Sequence, residues 1–314
     1  MPETVPPATL RANERLARYY AALPRPYRRT AAELRAARED GRTIHGPVVR
    51  LPRCEDVLLH AEERAVRIRV SRPRHGVARG LVLHCHAGGF VTGSPDWEDE
   101  RLTALADECG AVVAGVAYRL APEHPYPAGL DDVTAALAWA AAAGRAEYGV
   151  DRVLVAGESA GANLAVLALI RLRERTGAVA VDGAALSYGF FDLRLTAGAR
   201  RPPRPFLGLD AATLTWFREQ YAPGMPASQP ELSPVLADLS GLPPALLVVG
   251  TADPLHDDSV LLAERWRAAG GAARLHRVPG GAHGCDLLPF DSPARREIVR
   301  VRSRFIADIL SGGP

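Results

Sequence analysis

From about residue 55 onward the chain alternates between short apolar runs and longer stretches whose apolar positions recur at helical spacing. The runs are Asp56–His60, Val66–Ser71, Gly80–Cys85, Ala111–Ala117, Arg152–Ala156, Asp182–Tyr188, Ala245–Gly250 and Ala273–Val278. Several are nearly continuous Val and Leu, the pattern of strands buried on both faces. Between them, Asp99–Cys109, Gly129–Ala143, Ala160–Arg175 and Asp257–Ala269 predict helices. Strands alternating with helices predict an α/β fold, with a mainly parallel sheet covered by helices on both faces. The eight runs predict eight strands, the first two close enough to form an antiparallel hairpin.

Two stretches break this rhythm. In residues 1–50, Leu10–Leu23 and Thr30–Asp40 predict short amphipathic helices separated by Pro24 and Pro26. Between Tyr188 and Ala245 lie an Arg/Pro-rich loop (Arg194–Pro205), a helix Ala211–Tyr221 with Asp210 as its N-cap, and a second Pro-rich loop. An insertion of this length inside a compact domain is usually functional. No internal repeat or low-complexity linker is present, so the chain reads as one domain with accessory pieces.

Composition narrows the classes. Of 314 residues, 47% are hydrophobic and 24% charged, as in an ordinary globular protein, and the formal net charge is +2. No basic block marks a nucleic-acid footprint, so no nucleic-acid partner is expected. No run of about 18 apolar residues exists, and no apolar run follows Arg11, Arg15 and Arg18, so neither membrane insertion nor a signal peptide is expected. Cys54, Cys85, Cys109 and Cys285 form no CxxC pair, which argues against zinc. Cys85 and Cys109 read as small core residues, and a reduced, cytoplasmic setting is expected.

The chemistry begins at Gly157-Glu158-Ser159-Ala160-Gly161, a G-x-S-x-G pattern after a buried strand and before a helix. The pattern alone is common. Its placement is not, because a serine presented on so tight a turn strains the backbone and leaves no room for bulky flanking residues. The bland alternative is a βα turn with Ser159 as a helix cap. Upstream, the strand ending near Cys85 is followed by His86-Ala87-Gly88-Gly89. A Gly-rich loop brings backbone N–H groups close to a developing oxyanion, and the expected donors are Gly88, Gly89 and Ala160. Ala87 is tolerable only at a negative φ. His86 is expected to hold the loop, and His84 to be a satisfied strand histidine.

Serine needs a base, and the base an orienting acid. Asp253 follows the strand Ala245–Gly250, and Asp257 and Asp258 beside it fall in the next helix. His283 follows the strand Ala273–Val278 in a Gly-rich loop flexible enough to swing towards Ser159, whereas His256 and His276 read as surface residues. Ser159, Asp253 and His283 thus occur in the order nucleophile, acid, base.

These motifs, with Tyr118-Arg119-Leu120-Ala121-Pro122-Glu123-His124-Pro125-Tyr126-Pro127-Ala128 and Asp253-Pro254-Leu255, resemble the hormone-sensitive-lipase-like carboxylesterases over about residues 55–310. Ala87 stands where Gly is usual, Glu158 where Asp is common, and Cys285 where Phe is common after His283-Gly284. The resemblance implies an α/β-hydrolase fold with a helical cap. On that reading residues 1–50 supply cap helices, and residues 51–314 the catalytic domain with a cap insertion at about 190–230. It further implies hydrolysis of short- to medium-chain carboxylic esters through an acyl-enzyme, with deacetylation of a small metabolite as one form, and no cofactor or metal. The expected partner is a small ester, and any self-association a homodimer. Relatives on this scaffold also include dehydratases and cyclases of secondary metabolites, and hormone receptors that have lost the catalytic histidine, which here is present. Phe190, Phe191, Phe206, Trp216 and Phe217 are candidates either to line a bulky pocket or to pack the cap onto the core.

Overall fold

The computed structural model describes residues 4–61, 64–201 and 205–312. Pro202 to Arg204 of the predicted Arg/Pro-rich loop lie outside the described residues. The chain enters through helix α1 (Pro7–Ala21) and helix α2 (Ala31–Glu39). The latter is closed by a capping box: Thr30 Oγ1 accepts from Glu33 N at 3.2 Å, and the Glu33 carboxylate from Thr30 N at 2.7 Å.

The eight strands are β1 (Cys54–Ala61), β2 (Arg64–Ser71), β3 (Leu81–Cys85), β4 (Val112–Val116), β5 (Val153–Glu158), β6 (Gly183–Ser187), β7 (Ala245–Gly250) and β8 (Ala273–Val278). They form one sheet in the order β1-β2-β4-β3-β5-β6-β7-β8. The β1–β2 and β2–β4 pairs are antiparallel and the rest parallel, so the predicted hairpin and parallel sheet both form. Along β3 the apolar run serves both faces. Leu81, Leu83 and Cys85 enter one core and Val82 the other. The first core is completed by α4 (Ala128–Trp139), α6 (Ala160–Thr176) and α9 (His256–Ala268), the second by α3 (Asp99–Cys109) and α10 (Pro293–Leu310). Helix α4 continues through a π-helical turn, Ala140–Gly144, into the short α5 (Arg145–Glu147). Two helices interrupt the segment between β6 and β7: α7 (Ala197–Arg200) and α8 (Ala211–Tyr221). The predicted N-cap is in place, with Asp210 Oδ1 accepting from Thr213 N at 2.8 Å.

Three details depart from expectation. Strand β5 runs two residues further than predicted, because Gly157 and Glu158 pair with Leu186 and Ser187 of β6. Helix α10 was not among the predicted helices. Its buried stripe of Ala294, Ile298, Phe305, Ile306 and Ile309 is interrupted by a buried Arg302. Phe190 and Phe191 are fully buried core residues rather than pocket lining.

Strand β3 lies between β4, which follows it in the chain, and β5. The crossovers after β3 and β5 therefore leave in opposite directions. The carboxyl ends of β3 and β5 flank the crevice that such a reversal opens, where open α/β sheets place their sites. Among the described residues no helix is long and apolar enough to cross a membrane.

Candidate active site

Ser159 stands between β5 and α6 with φ 53 and ψ −117. A non-glycine residue rarely holds this conformation, and it persists because the surroundings leave no alternative. A Cβ on Gly157 would lie 2.7 Å from the carbonyl carbon of Gly161, and one on Gly161 only 2.1 Å from the carbonyl oxygen of Cys85. The elbow and the end of β3 thus touch backbone to backbone. Ser159 makes no side-chain cap bond to α6. Its Oγ lies 3.0 Å from His283 Nε2 instead, which removes the helix-cap reading.

His283 Nδ1 lies 2.9 Å from Asp253 Oδ2. The second carboxylate oxygen of Asp253 accepts from Leu255 N at 2.8 Å, so neither oxygen is left to solvent. The His283 loop is docked rather than swinging, contrary to expectation. Thr251 N donates to Val278 O at 2.9 Å, Ala252 N to Gly281 O at 3.1 Å, and Gly280 N to Thr251 Oγ1 at 2.8 Å. A Cβ on Gly250 would lie 1.9 Å from Gly281 O, so the Asp253 and His283 loops also meet backbone to backbone.

The three N–H groups of Gly88, Gly89 and Ala160 are oriented through the carbonyls of the residues before them, because a trans peptide points its C=O and N–H in opposite directions. His86 Nδ1 holds Ala87 O at 2.8 Å and so aims the Gly88 N–H. Gly88 O accepts from Val91 N, Thr92 N and Thr92 Oγ1 at 3.1, 2.9 and 3.1 Å, which aims the Gly89 N–H. Ser159 O accepts from Asn163 N at 3.3 Å and Phe190 N at 3.2 Å, which aims the Ala160 N–H. Gly88 and Gly89 have φ of 132 and 62, whereas Ala87 is not among the positive-φ residues, so its methyl is accommodated.

The Tyr118–Ala128 run braces this loop. Tyr118 stacks on the His86 ring at 4.1 Å and its hydroxyl donates to His86 O at 2.8 Å. Ala121 N donates to Phe90 O at 3.0 Å. Burial pushes the His86 imidazole down to about 4, which keeps it neutral near pH 7.

Sequence reading missed an ionic cluster behind the elbow. Glu158, 1% exposed, accepts from His84 Nε2 at 2.6 Å, Arg101 Nη1 at 2.8 Å and Arg302 Nη1 at 3.1 Å. Burial alone would raise its pKa, but the positive groups of Arg101, His84 and Arg302 hold it well below the usual carboxylate range. His84 is therefore part of a charged cluster, and its Nδ1 has no hydrogen-bond partner. His84, Glu98 and Glu158 form the one ligand-type trio among the described residues, and the Arg101 guanidinium already bridges its two carboxylates. A buried Asp258 at the start of α9 accepts from Phe191 N and Asp192 N, both at 2.9 Å.

A cavity of about 1320 Å³ reaches the site at Ala87 and Gly88. Its walls include Tyr20, Phe206 and Phe217, whereas Ser159 and His283 are not in its lining. Phe217 of α8 covers Gly89 so closely that a Cβ there would lie 2.4 Å from the ring. Tyr20 of α1 meets Phe206 edge to face at 5.7 Å. Trp216 is half-buried and packs on the core.

A family model described as the alpha/beta hydrolase fold matches residues 82–287. The chain is 38% identical over 228 residues to a carboxylesterase, NlhH, of Mycobacterium tuberculosis, covering 69% of this chain and 70% of that protein. It is 34% identical over 237 residues to an acetyl-hydrolase of Streptomyces hygroscopicus, covering 75% and 77%. The structure of a hyperthermophilic esterase from Pyrobaculum calidifontis superposes with a TM-score of 0.85 at 33% identity, covering 99% of both chains.

Proposed function

This chain belongs to the α/β-hydrolase family, in its hormone-sensitive-lipase-like branch, and is a carboxylic ester hydrolase; we propose that Ser159, His283 and Asp253 carry the reaction. The observation behind the proposal is the continuous contact from Ser159 Oγ through the imidazole to Asp253, at 3.0 and 2.9 Å.

Ser159 Oγ attacks the ester carbonyl carbon as its proton passes to His283 Nε2. The carbonyl oxygen becomes an oxyanion and accepts from the N–H groups of Gly88, Gly89 and Ala160. The imidazolium gives its proton to the leaving alcohol, and an acyl-enzyme remains. Water then loses a proton to His283 and attacks the acyl carbon, and Ser159 departs with the proton returned. Asp253 holds the tautomer with hydrogen on Nδ1 and stabilises the transient positive charge. The pinned carbonyls of Ala87, Gly88 and Ser159 support the oxyanion assignment, since their N–H partners cannot rotate away.

Residues 1–50 and about 190–230 are read as a cap that sizes the substrate, a reading supported by Tyr20 on Phe206 and Phe217 on Gly89. Short to medium acyl chains, acetyl among them, are the proposed substrates. Four unpaired, buried cysteines fit a reducing, cytoplasmic setting. The test is a series of p-nitrophenyl esters from acetate to dodecanoate, run beside a fluorophosphonate probe. Turnover greatest among the shorter esters, with the probe on Ser159 and both lost in Ser159→Ala, is expected. An intact fold that neither turns over any ester nor takes the probe would refute the reading.

A further inference from the structure

The base is held at two points, Nδ1 by Asp253 and Nε2 by Ser159, on a loop docked against that of Asp253, but both contacts lie in the plane of the ring and leave its tilt about the line joining them open. A third wall is therefore needed to stop the imidazole from tilting, and Tyr188 supplies one. Its ring lies 5.0 Å from that of His283 at 71°.

Tyr188 is fully buried, so it touches neither solvent nor substrate, and its φ is 38, an uncommon value for a bulky residue. The strained backbone is held by its N–H, which donates to Val248 O at 2.7 Å. Its hydroxyl donates to Asp286 Oδ1 at 2.6 Å. Asp286 lies three residues beyond His283 on the same loop, and its other oxygen accepts from Arg302 Nη1 at 2.9 Å. That same nitrogen reaches Glu158, the residue before the nucleophile, at 3.1 Å. The chain of contacts Tyr188–Asp286–Arg302–Glu158 thus ties the base loop to the nucleophile's own strand.

We infer that Tyr188, clamped by Asp286, is a positioning residue that fixes the ring of His283 against Ser159. The inference rests on the esterase reading above. Burial first, then the carboxylates of Asp286 and Glu158, raise the phenol's pKa well above its usual value, so the hydroxyl remains a donor. The charged groups around this contact are Asp253 on the Nδ1 side and, beyond Tyr188, Asp286, Arg302, Glu158 and Arg101.

Tyr188→Phe keeps the ring and removes the clamp, whereas Asp286→Asn keeps an acceptor and removes the charge. With p-nitrophenyl acetate, Tyr188→Phe is expected to lower kcat by about 10- to 100-fold with KM within about twofold. The acidic limb of kcat/KM, which reports the free imidazole, gives the second readout. It moves to higher pH in Tyr188→Phe, where Asp286 loses its donor and its negative charge is less quenched. It moves to lower pH in Asp286→Asn, where the charge is gone. A merely structural role would not displace the limb in opposite directions. Should Tyr188→Phe fail to fold, Asp286→Asn decides alone, by a lowered kcat and a displaced limb. An active wild type with unchanged kcat and limb in the variants overturns this inference only. A wild type with neither turnover nor probe labelling removes the esterase reading and this inference together.

Discussion

The rim of the sheet and the segments that cover it are held by different constraints. At the rim, backbone meets backbone: a Cβ on Gly161 would lie 2.1 Å from Cys85 O, one on Gly88 2.0 Å from Thr92 O, and one on Gly250 1.9 Å from Gly281 O. Above it, rings and guanidinium groups meet. Tyr20 packs on Phe206, the Arg25 guanidinium sits 3.3 Å from the centre of that ring, and Phe217 covers Gly89. Side chains can take new rotamers at modest cost, whereas backbone contacts at these distances cannot relax without moving whole elements. On the proposed function, the rim sets the reaction and the covering segments set what enters it.

Gly161→Ala tests this division most severely. Its methyl would force α6 away from the end of β3, separating the Ala160 N–H from those of Gly88 and Gly89. Loss of an oxyanion donor costs about 100- to 1000-fold in kcat, and that loss is expected here with a lowered melting temperature. Wild-type turnover in this variant would show that the rim yields after all.

The next effect is one of pH. His86 binds a proton in the folded protein only near pH 4, against about 6.5 when exposed. The unfolded chain therefore takes up the proton first as pH falls. Stability present above about pH 6.5 is lost on the way down to about pH 4, on the order of 3 kcal/mol from this residue. Denaturant unfolding at several pH values checks it. His86→Asn should be less stable at pH 7 but should lack this part of the acid slope, and identical slopes in the two proteins would count against the assignment.

The smallest effect belongs to the covering segments. Phe217→Ala should leave probe labelling of Ser159 unchanged while raising the hexanoate-to-acetate ratio of kcat/KM about tenfold. A uniform fall in activity on all esters would place Phe217 with the rim instead.

Much of the rim was legible because its signals are local. Strands β7 and β8 and helices α3 and α8 fall on their predicted residues, bounded by turn residues or a cap. The elbow and the Gly-rich loop carry glycines wherever the backbone closes on itself. The ionic cluster was not legible, because Arg101, His84 and Arg302, the partners of Glu158, are 57, 74 and 144 residues away in sequence. Helix α10 was hidden for the same reason: the guanidinium of Arg302 sits in its apolar stripe, paired to carboxylates from other elements. The fate of Phe190 and Phe191 depended on tertiary packing. An aromatic beside a long insertion looks alike whether it faces a pocket or, as here, the main core.

The contact of Asp258 with the N–H groups of Phe191 and Asp192 reaches beyond catalysis. With Thr196 Oγ1 on Asp258 at 2.9 Å and Gly198 N on Asp257 at 3.0 Å, it anchors the first part of the β6–β7 insertion, as far as Gly198, to the helix that follows Asp253. The insertion is thus a removable part on a permanent socket. Lineages could trade the portion between Gly198 and Tyr221, whose ring stacks on Phe90 at 4.0 Å, and acquire new substrates, and a designer grafting a foreign segment there would begin from the same seam.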